Sequence, residues 1–400
     1  MKVIDQLKKQ AERYGVFRLT PTWVPRTFCR PGKRIKLHPD DYFALGLTRG
    51  GIDERWFASA TKADNGPGTP EDEGLSYIIF DDGQKMLFKD AIAAMGSDML
   101  GFAIWDKYGG WPMFSKFFDN AGPLPHHIHH HDRYARLVGQ MGKPEMYFFP
   151  SQMNNHFGEF PFTFFGFNPE TSYEQVKSAL MNFEKGDNNL LGLSSAYKLE
   201  LDTGWDVPPG ILHAPGSLCT YEPQAASDVY AMYQSVLYGG QTVPVDLLWK
   251  DCPPEKRGDF DYLMEIIDWE ENVSPEFHEK HYMVPKLVAG VDTMAKDGYR
   301  EEWICYKTQE VSAKRLTIGP GCEAIIRDAA PYGLICIQGR GEINGAPLES
   351  PTLIRYGQNT YDEYFVSMNA AVEGVRFINH SKEDIVILKH FSLNPDLNKL

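Results

Sequence analysis

No apolar run in the 400 residues approaches the roughly 18–20 needed to span a bilayer, which excludes a membrane-spanning helix. Positive charge is not in excess: the formal net charge is -14. That argues against a nucleic-acid partner, which requires a basic footprint. Cysteine is sparse, with six residues and no C-x-x-C pair, so a disulfide scaffold is excluded and a reduced, cytoplasmic setting is expected. The N-terminal MKVIDQLKKQAERYGVF carries Asp5 and Glu12 where a signal peptide needs an unbroken apolar core. It predicts a short amphipathic helix. There is no low-complexity tail, no βαβ alternation and no phosphate-cradling loop; GRGEING reads as a hairpin turn.

What is present is β-rich. Aromatics make up 13% of the chain, which favours sheet packing. Strands are expected from Glu145 onward in MYFF and FPFTFFGF, then in YKLEL, ILHA and along LCTYEPQAASDVYAMYQSVLYGG. DTGWDVPPG reads as a turn and segment 60–76 as a polar loop. Helices are expected over 85–96 and over 172–186, where Val176, Leu180 and Phe183 share a stripe and Thr171 or Ser172 supplies the cap. Segment 246–300 is charged and interrupted by prolines, and reads as a helical or irregular connection. From 301 to 400 short strands resume (KRLTIGPG, CEAIIRDA, YGLICIQ, PTLIRYG, VRFINHS, DIVILKHFSL) with turns about every ten residues. The pattern predicts a mainly β protein of two sandwich or barrel units, the first within 1–245 and the second within 301–400.

The densest chemistry lies in PLPHHIHHHDRYARLVGQMGKPEMYFF, with five histidines in six positions. A purification tag sits at a terminus, and this cluster is internal and broken by Ile128. A solvated polar loop and a metal site are left. On a strand, His127 and His129 share a face while Ile128 packs into the opposite layer. Two imidazoles are half a metal site, and an oxygen ligand with a third nitrogen completes it. Glu145, sixteen residues past His129, suits a neighbouring antiparallel strand, and His213 follows a Pro-Pro-Gly turn at a strand start. His-x-His, Glu and a distant His form a cupin ligand pattern. By alternation His126 and His130 point away, and His131 lies at the rim. His156 is a possible pocket residue. His38 in KLHPDDYF and the pair His278 and His281 read as surface histidines, because Lys36 cannot ligate and the i, i+3 spacing fails a helical zinc motif.

Four stretches together resemble the type I mannose-6-phosphate isomerases, zinc-dependent cupins. ERWFASATKADNGPG with the later GLS is similar to that family's Trp-Ser and Gly-Pro region. WPMFSKFFDNAGPLPHHIHHHDRYA is similar to its FPLLxKxLDAxxxLSxQxHPD stretch. GKPEMYFF resembles GKxExWYxL, and VPPGILHAPGSLCTYEPQAASDVYAMY resembles VPxGxxHAxGxGxxxxExQxxSDxxYRxYD. The resemblance implies His127, His129, Glu145 and His213 as metal ligands, with Zn2+ the expected ion and Fe2+, Mn2+ or Ni2+ the alternatives. It implies Lys143 and Glu222 as catalytic groups, and a sugar or sugar phosphate as substrate. The chain departs from the family at His127, where Gln is usual. It departs again at His130-His131-Asp132 for His-Pro-Asp, and at Ala231-Met232, where an active-site arginine is expected.

In an aldose–ketose isomerisation, a divalent cation on the sugar oxygens stabilises the enediolate and a base moves the carbon-bound proton. Glu222 is the candidate base. Lys143 is the candidate partner for a hydroxyl or for developing charge, unless it pairs with Asp132. Trp56, Tyr147, Phe149 and Trp205 are either sugar-stacking walls or ordinary core. Beyond residue 300 only His380 and His390 remain, without a partner motif, so the second unit is expected to be a metal-free cupin with structural roles, including a homodimer contact. Two other functions fit the same ligands: an iron or manganese cupin oxygenase, and a non-catalytic metal-containing sugar-binding protein.

Overall fold

The computed structural model describes residues 3–155, 160–237 and 239–400. His156 lies outside them. Within the described residues the chain is mainly β, in antiparallel sheets, and no helix is long and apolar enough to cross a membrane. A seven-stranded sheet has the order Tyr282–Met283, Gly204–Val207, Glu145–Phe148, Thr220–Ala225, Met113–Phe118, Gly51–Phe57, Thr22–Arg26. A five-stranded sheet runs Ser194–Lys198, Phe162–Phe167, His213–Ala214, His127–Ile128, Ala231–Met232. Phe118, Tyr147 and Trp205 of the first pack with Phe165 of the second, fully buried.

The later part repeats this layering. A second seven-stranded sheet contains Ser312–Ile318, Tyr332–Gln338 and Ile385–Phe391, and packs on a four-stranded sheet through Leu316, Leu334, Ile343 and Phe377. The two seven-stranded sheets lie against each other: Phe117, Met146 and Tyr221 of one share a core with Ala313, Ile335 and Leu388 of the other. Four β-layers are thus stacked, with the five-stranded sheet at one end. The layers are also tied by charge. Arg55 of the first sheet reaches Asp362 at 2.8 and 2.9 Å, fully buried.

Several local expectations hold. The N-terminal helix is Val3–Tyr14, with Leu7 buried, and it ends at Gly15, whose φ of +63° and position against Ala370 admit no side chain. The next strand, Val16–Arg18, pairs with Glu363–Val366 of the later half. Ser172 caps the helix Tyr173–Met181 in a reciprocal box with Gln175, and Val176 and Leu180 are buried. All six cysteines are free.

Other expectations are corrected. The helix expected over 85–96 is a strand, Lys85–Leu87, followed by the helix Phe88–Met95, and a further helix, Ser97–Tyr108, follows it. Gly204–Val207 is a strand rather than part of a turn, because its extended backbone is paired on both sides. PTLIRYG forms no regular strand; Ile354 makes a single bridge to Leu37. His281 is buried between Asp206 at 3.2 Å and Glu271 at 3.0 Å, whereas His278 is exposed as expected. His38 accepts from the Asp40 backbone N–H at 3.2 Å and starts a short helical turn.

Candidate metal centre

The Pro-Pro-Gly turn brings the distant histidine to the cluster. Gly210 has a φ of +85°, and a side chain there would strike the His131 ring, so only glycine makes this turn. Its N–H donates to the His129 carbonyl at 2.8 Å. Asn272, from the charged connection, locks the turn: its amide donates to the Gly210 carbonyl at 2.7 Å and accepts from Leu212 N–H at 2.8 Å. His213 then pairs directly with His127 in the five-stranded sheet.

One ring nitrogen from each of His127, His129 and His213 lies within 4.8 Å of the others, and all three residues are buried. Each Nδ1 faces a backbone carbonyl: Pro125 at 2.8 Å, Val229 at 2.7 Å and Ile211 at 2.9 Å respectively. A carbonyl oxygen only accepts, so each Nδ1 carries a proton and Nε2 is the nitrogen left to ligate. Burial drives the His129 pKa down to about 4 and that of His127 well below its ordinary value; neighbouring histidines and, at His129, Lys143 add to this. Both are therefore neutral near pH 7.

Glu145 adds oxygen to this set from the facing sheet. Its Oε1 lies 3.2 Å from His213 Nε2 and accepts from Tyr147 O–H at 2.6 Å. Its Oε2 lies 3.1 Å from His129 Nε2. Burial raises this carboxyl, but Lys143 first and then His129 and His213 outweigh it and hold the group well below the usual range. Two imidazole Nε2 atoms thus stand about 3 Å from the two Glu145 oxygens, and neither His213 Nε2 nor Glu145 Oε2 has a well-aligned hydrogen-bond partner. Such a set fits a cation. Three imidazole nitrogens and a carboxylate suit a borderline or hard divalent metal such as zinc, iron or manganese.

Lys143 does not pair with Asp132. Its ammonium sits 3.1 Å from Glu145 Oε2, 3.1 Å from His129 Nε2 and 3.8 Å from Glu222 Oε1, while Asp132 is engaged by Arg136. Glu222 is in the same buried space. It stands opposite Lys116 in the sheet, with Lys116 Nζ at 3.2 Å. Burial first and the Glu145 charge second push its pKa up to about 8, against the opposing pull of Lys116 and Lys143. The structure thus brings together all six residues read from the sequence. His126 turns aside to Gln234 at 2.6 Å, His130 is buried outside the set, and His131 is half-buried beside the Gly210 turn.

Sequence reasoning missed a second line of charge. Glu54 lies 3.5 Å from Lys116 and 3.2 Å from Arg26, and Arg26 also reaches Asp228 at 3.1 Å. The signal was a lysine inside the apolar run MFSKFF and an acid–base pair inside GIDERWF, neither carrying a ligand motif. Trp56, Tyr147, Phe149 and Trp205 are core residues with no exposed face. Two also hold carboxylates: Trp56 N–H donates to Glu54 at 2.7 Å and Tyr147 O–H to Glu145. Ala231 and Met232 are buried and apolar, and Met232 pairs with His127.

No family model matches the sequence and no curated protein is detectably similar to it. Solved structures are similar. The mannose 6-phosphate isomerase from Bacillus subtilis aligns over 94% of this chain and 98% of its own, at 14% identity and a TM-score of 0.61. A variant of phosphomannose isomerase from Salmonella typhimurium aligns over 95% and 100%, at 12% identity and 0.61. A zinc-bound mannose 6-phosphate isomerase aligns over 94% and 99%, at 12% identity and 0.61. Over nearly its whole length, the chain has the fold of the mannose-6-phosphate isomerases, at an identity that marks it as divergent.

Proposed function

We propose that this protein is a metal-dependent aldose–ketose isomerase acting on a sugar or sugar phosphate, with each pair of packed sheets forming one cupin barrel and only the barrel within 1–245 holding metal. The observation that carries the reading is the convergence of His127, His129, His213 and Glu145 beside a second buried carboxylate, Glu222, flanked by two lysines. Zinc is the proposed ion; a solved isomerase of this fold binds it. When bound, the metal supplies Lewis acidity to the oxygens of the sugar.

The remaining work falls to side chains. Glu222 moves the proton between the adjacent carbons. A carboxylate whose pKa lies near neutrality is suited to both taking and returning it, and a cation in the adjacent site would draw that pKa down from about 8. Lys143 and Lys116 keep Glu222 in place, and Lys143 donates hydrogen bonds to hydroxyls or developing negative charge. The surrounding aromatic core excludes bulk water, which strengthens each of these interactions.

The test is metal analysis of purified protein followed by a screen for exchange of the C2 proton in heavy water over aldoses and their 6-phosphates. Zinc with exchange is expected. Glu222→Gln is expected to lower exchange about 10²–10⁴-fold while metal stays bound; unchanged exchange removes Glu222 from the mechanism. His127 makes the donor set three imidazoles and one carboxylate, which also suits a cupin oxygenase. Iron with oxygen-dependent turnover would establish that alternative, and sugar binding without exchange would leave a non-catalytic binder.

A further inference from the structure

We infer that the substrate of this site is a neutral sugar, without a phosphoryl group, an inference that rests on the isomerase reading above. When the C1 and C2 oxygens of a six-carbon sugar sit at the metal, a phosphoryl group at C6 lies at the other end of the molecule. It then needs a cationic side chain of its own to bind its two charges. Among the described residues, the cations joined to the candidate ligands through this ion-pair network are already committed. Arg26 is shared between Glu54 and Asp228, at 3.2 and 3.1 Å. Lys116 is shared between Glu222 and Glu54, at 3.2 and 3.5 Å, and Lys143 between Glu145 and Glu222, at 3.1 and 3.8 Å. Lys250, which donates to the Asp228 carbonyl at 3.3 Å, is held by Asp64 and Asp251, each at 3.0 Å. Each of these four cations is therefore already paired with at least one carboxylate.

A phosphate dianion entering this array would have to displace a carboxylate from a buried partner and then lie against the one displaced. A hydroxyl moves no charge. The buried atom here that lacks a well-aligned partner and is neither a proposed metal ligand nor the proposed base has the matching polarity: Gln224 Oε1 is an acceptor. Gln224 is on the same strand face as Glu222 and stands opposite Glu145. Acceptors receive sugar O–H groups and repel phosphoryl oxygens. The strand beside His127 adds only Ala231 and Met232, and the internal segments outside the described residues, 156–159 and Tyr238, contain no lysine or arginine.

The experiment compares pairs, each free sugar with its 6-phosphate, using metal-loaded protein. C2-proton exchange gives the ratio of kcat/KM, and calorimetry on Glu222→Gln gives the ratio of affinities without turnover. A preference for the free sugar of about tenfold or more is expected in both. A ratio of one or below in exchange overturns the inference and leaves the isomerase reading standing. Absence of exchange with every sugar overturns the isomerase reading, and this inference with it. Asp228→Asn relieves Arg26 of one carboxylate and is expected to shift the exchange ratio several-fold toward the 6-phosphate; Asp64→Asn, at an exposed carboxylate, does the same for Lys250 if the first variant does not fold. A ratio unmoved in a folded, active variant overturns the charge argument.

Discussion

At the scale of single residues, the candidate site depends on groups that orient other groups. Tyr147 is the clearest case: its hydroxyl fixes one Glu145 oxygen at 2.6 Å, leaving the other turned to His129 and Lys143. Tyr147→Phe removes that donor without changing the shape of the core. Metal affinity is expected to fall about tenfold, at the lower end of what such supporting hydrogen bonds contribute, with the melting temperature little changed; competition against a chromophoric chelator measures it. Of the four proposed ligands, His127 and His129 were legible from His-x-His spacing, and Glu145 and His213 from a strand's distance, a Pro-Pro-Gly turn and the family resemblance. Lys116, Glu54 and Arg26 were not, because nothing in MFSKFF or GIDERWF reveals that three strands set these charges together. Tyr147 was visible as an aromatic but not as a hydrogen-bond donor to Glu145.

At the scale of elements, the charged stretch between the two halves clamps the site as well as connecting them. Asn272 is buried and makes both amide bonds to the Gly210 turn, and its amide also donates to the Asp268 carbonyl at 2.6 Å. Asn272→Ala leaves the buried Leu212 N–H unpaired, while the Gly210 carbonyl keeps the Asp268 N–H at 3.0 Å, and is expected to cost about 1–3 kcal/mol in urea unfolding. Because the turn carries His213, metal affinity should fall as well. Loss of stability with unchanged affinity would show that His213 is held by its sheet partners alone. The elements that were readable carried their own signals: the Ser172–Gln175 box ahead of a helical stripe, and the alternation around Ile128. Those that were missed did not. The strand Gly204–Val207 opens with glycine and runs into Pro208-Pro209, which reads as a turn until strands on both sides pair with it. Glu363–Val366 is a strand because Tyr332–Gln338 pairs with it on one side and Val16–Arg18, from the far end of the sequence, on the other.

At the scale of the whole molecule, the stacking of the two seven-stranded sheets was not legible, since composition does not say which sheet faces which. His390 lies at that contact. Its Nδ1 is 2.8 Å from the Ser115 hydroxyl and 3.2 Å from that of Tyr221, both in the other sheet, and its ring lies against Gly333. Burial drives its pKa down to about 3. The folded protein therefore holds this ring neutral where the unfolded chain would protonate it. Between about pH 6.5 and pH 3 the unfolded state binds the extra proton, so stability is complete above that window and is lost as pH falls through it. One such group contributes a slope of about 1.4 kcal/mol per pH unit. His126 and His130, pushed down to about 4 and about 3 by burial, act in the same sense near the site, so the wild-type slope is a sum. His390→Gln keeps a polar partner for Ser115 and cannot titrate. Urea unfolding from pH 4 to pH 7 should show the variant shallower than wild type by about one proton's slope, with the metal site unaffected; equal slopes would mean that His390 is already protonated, or solvated, in the native contact.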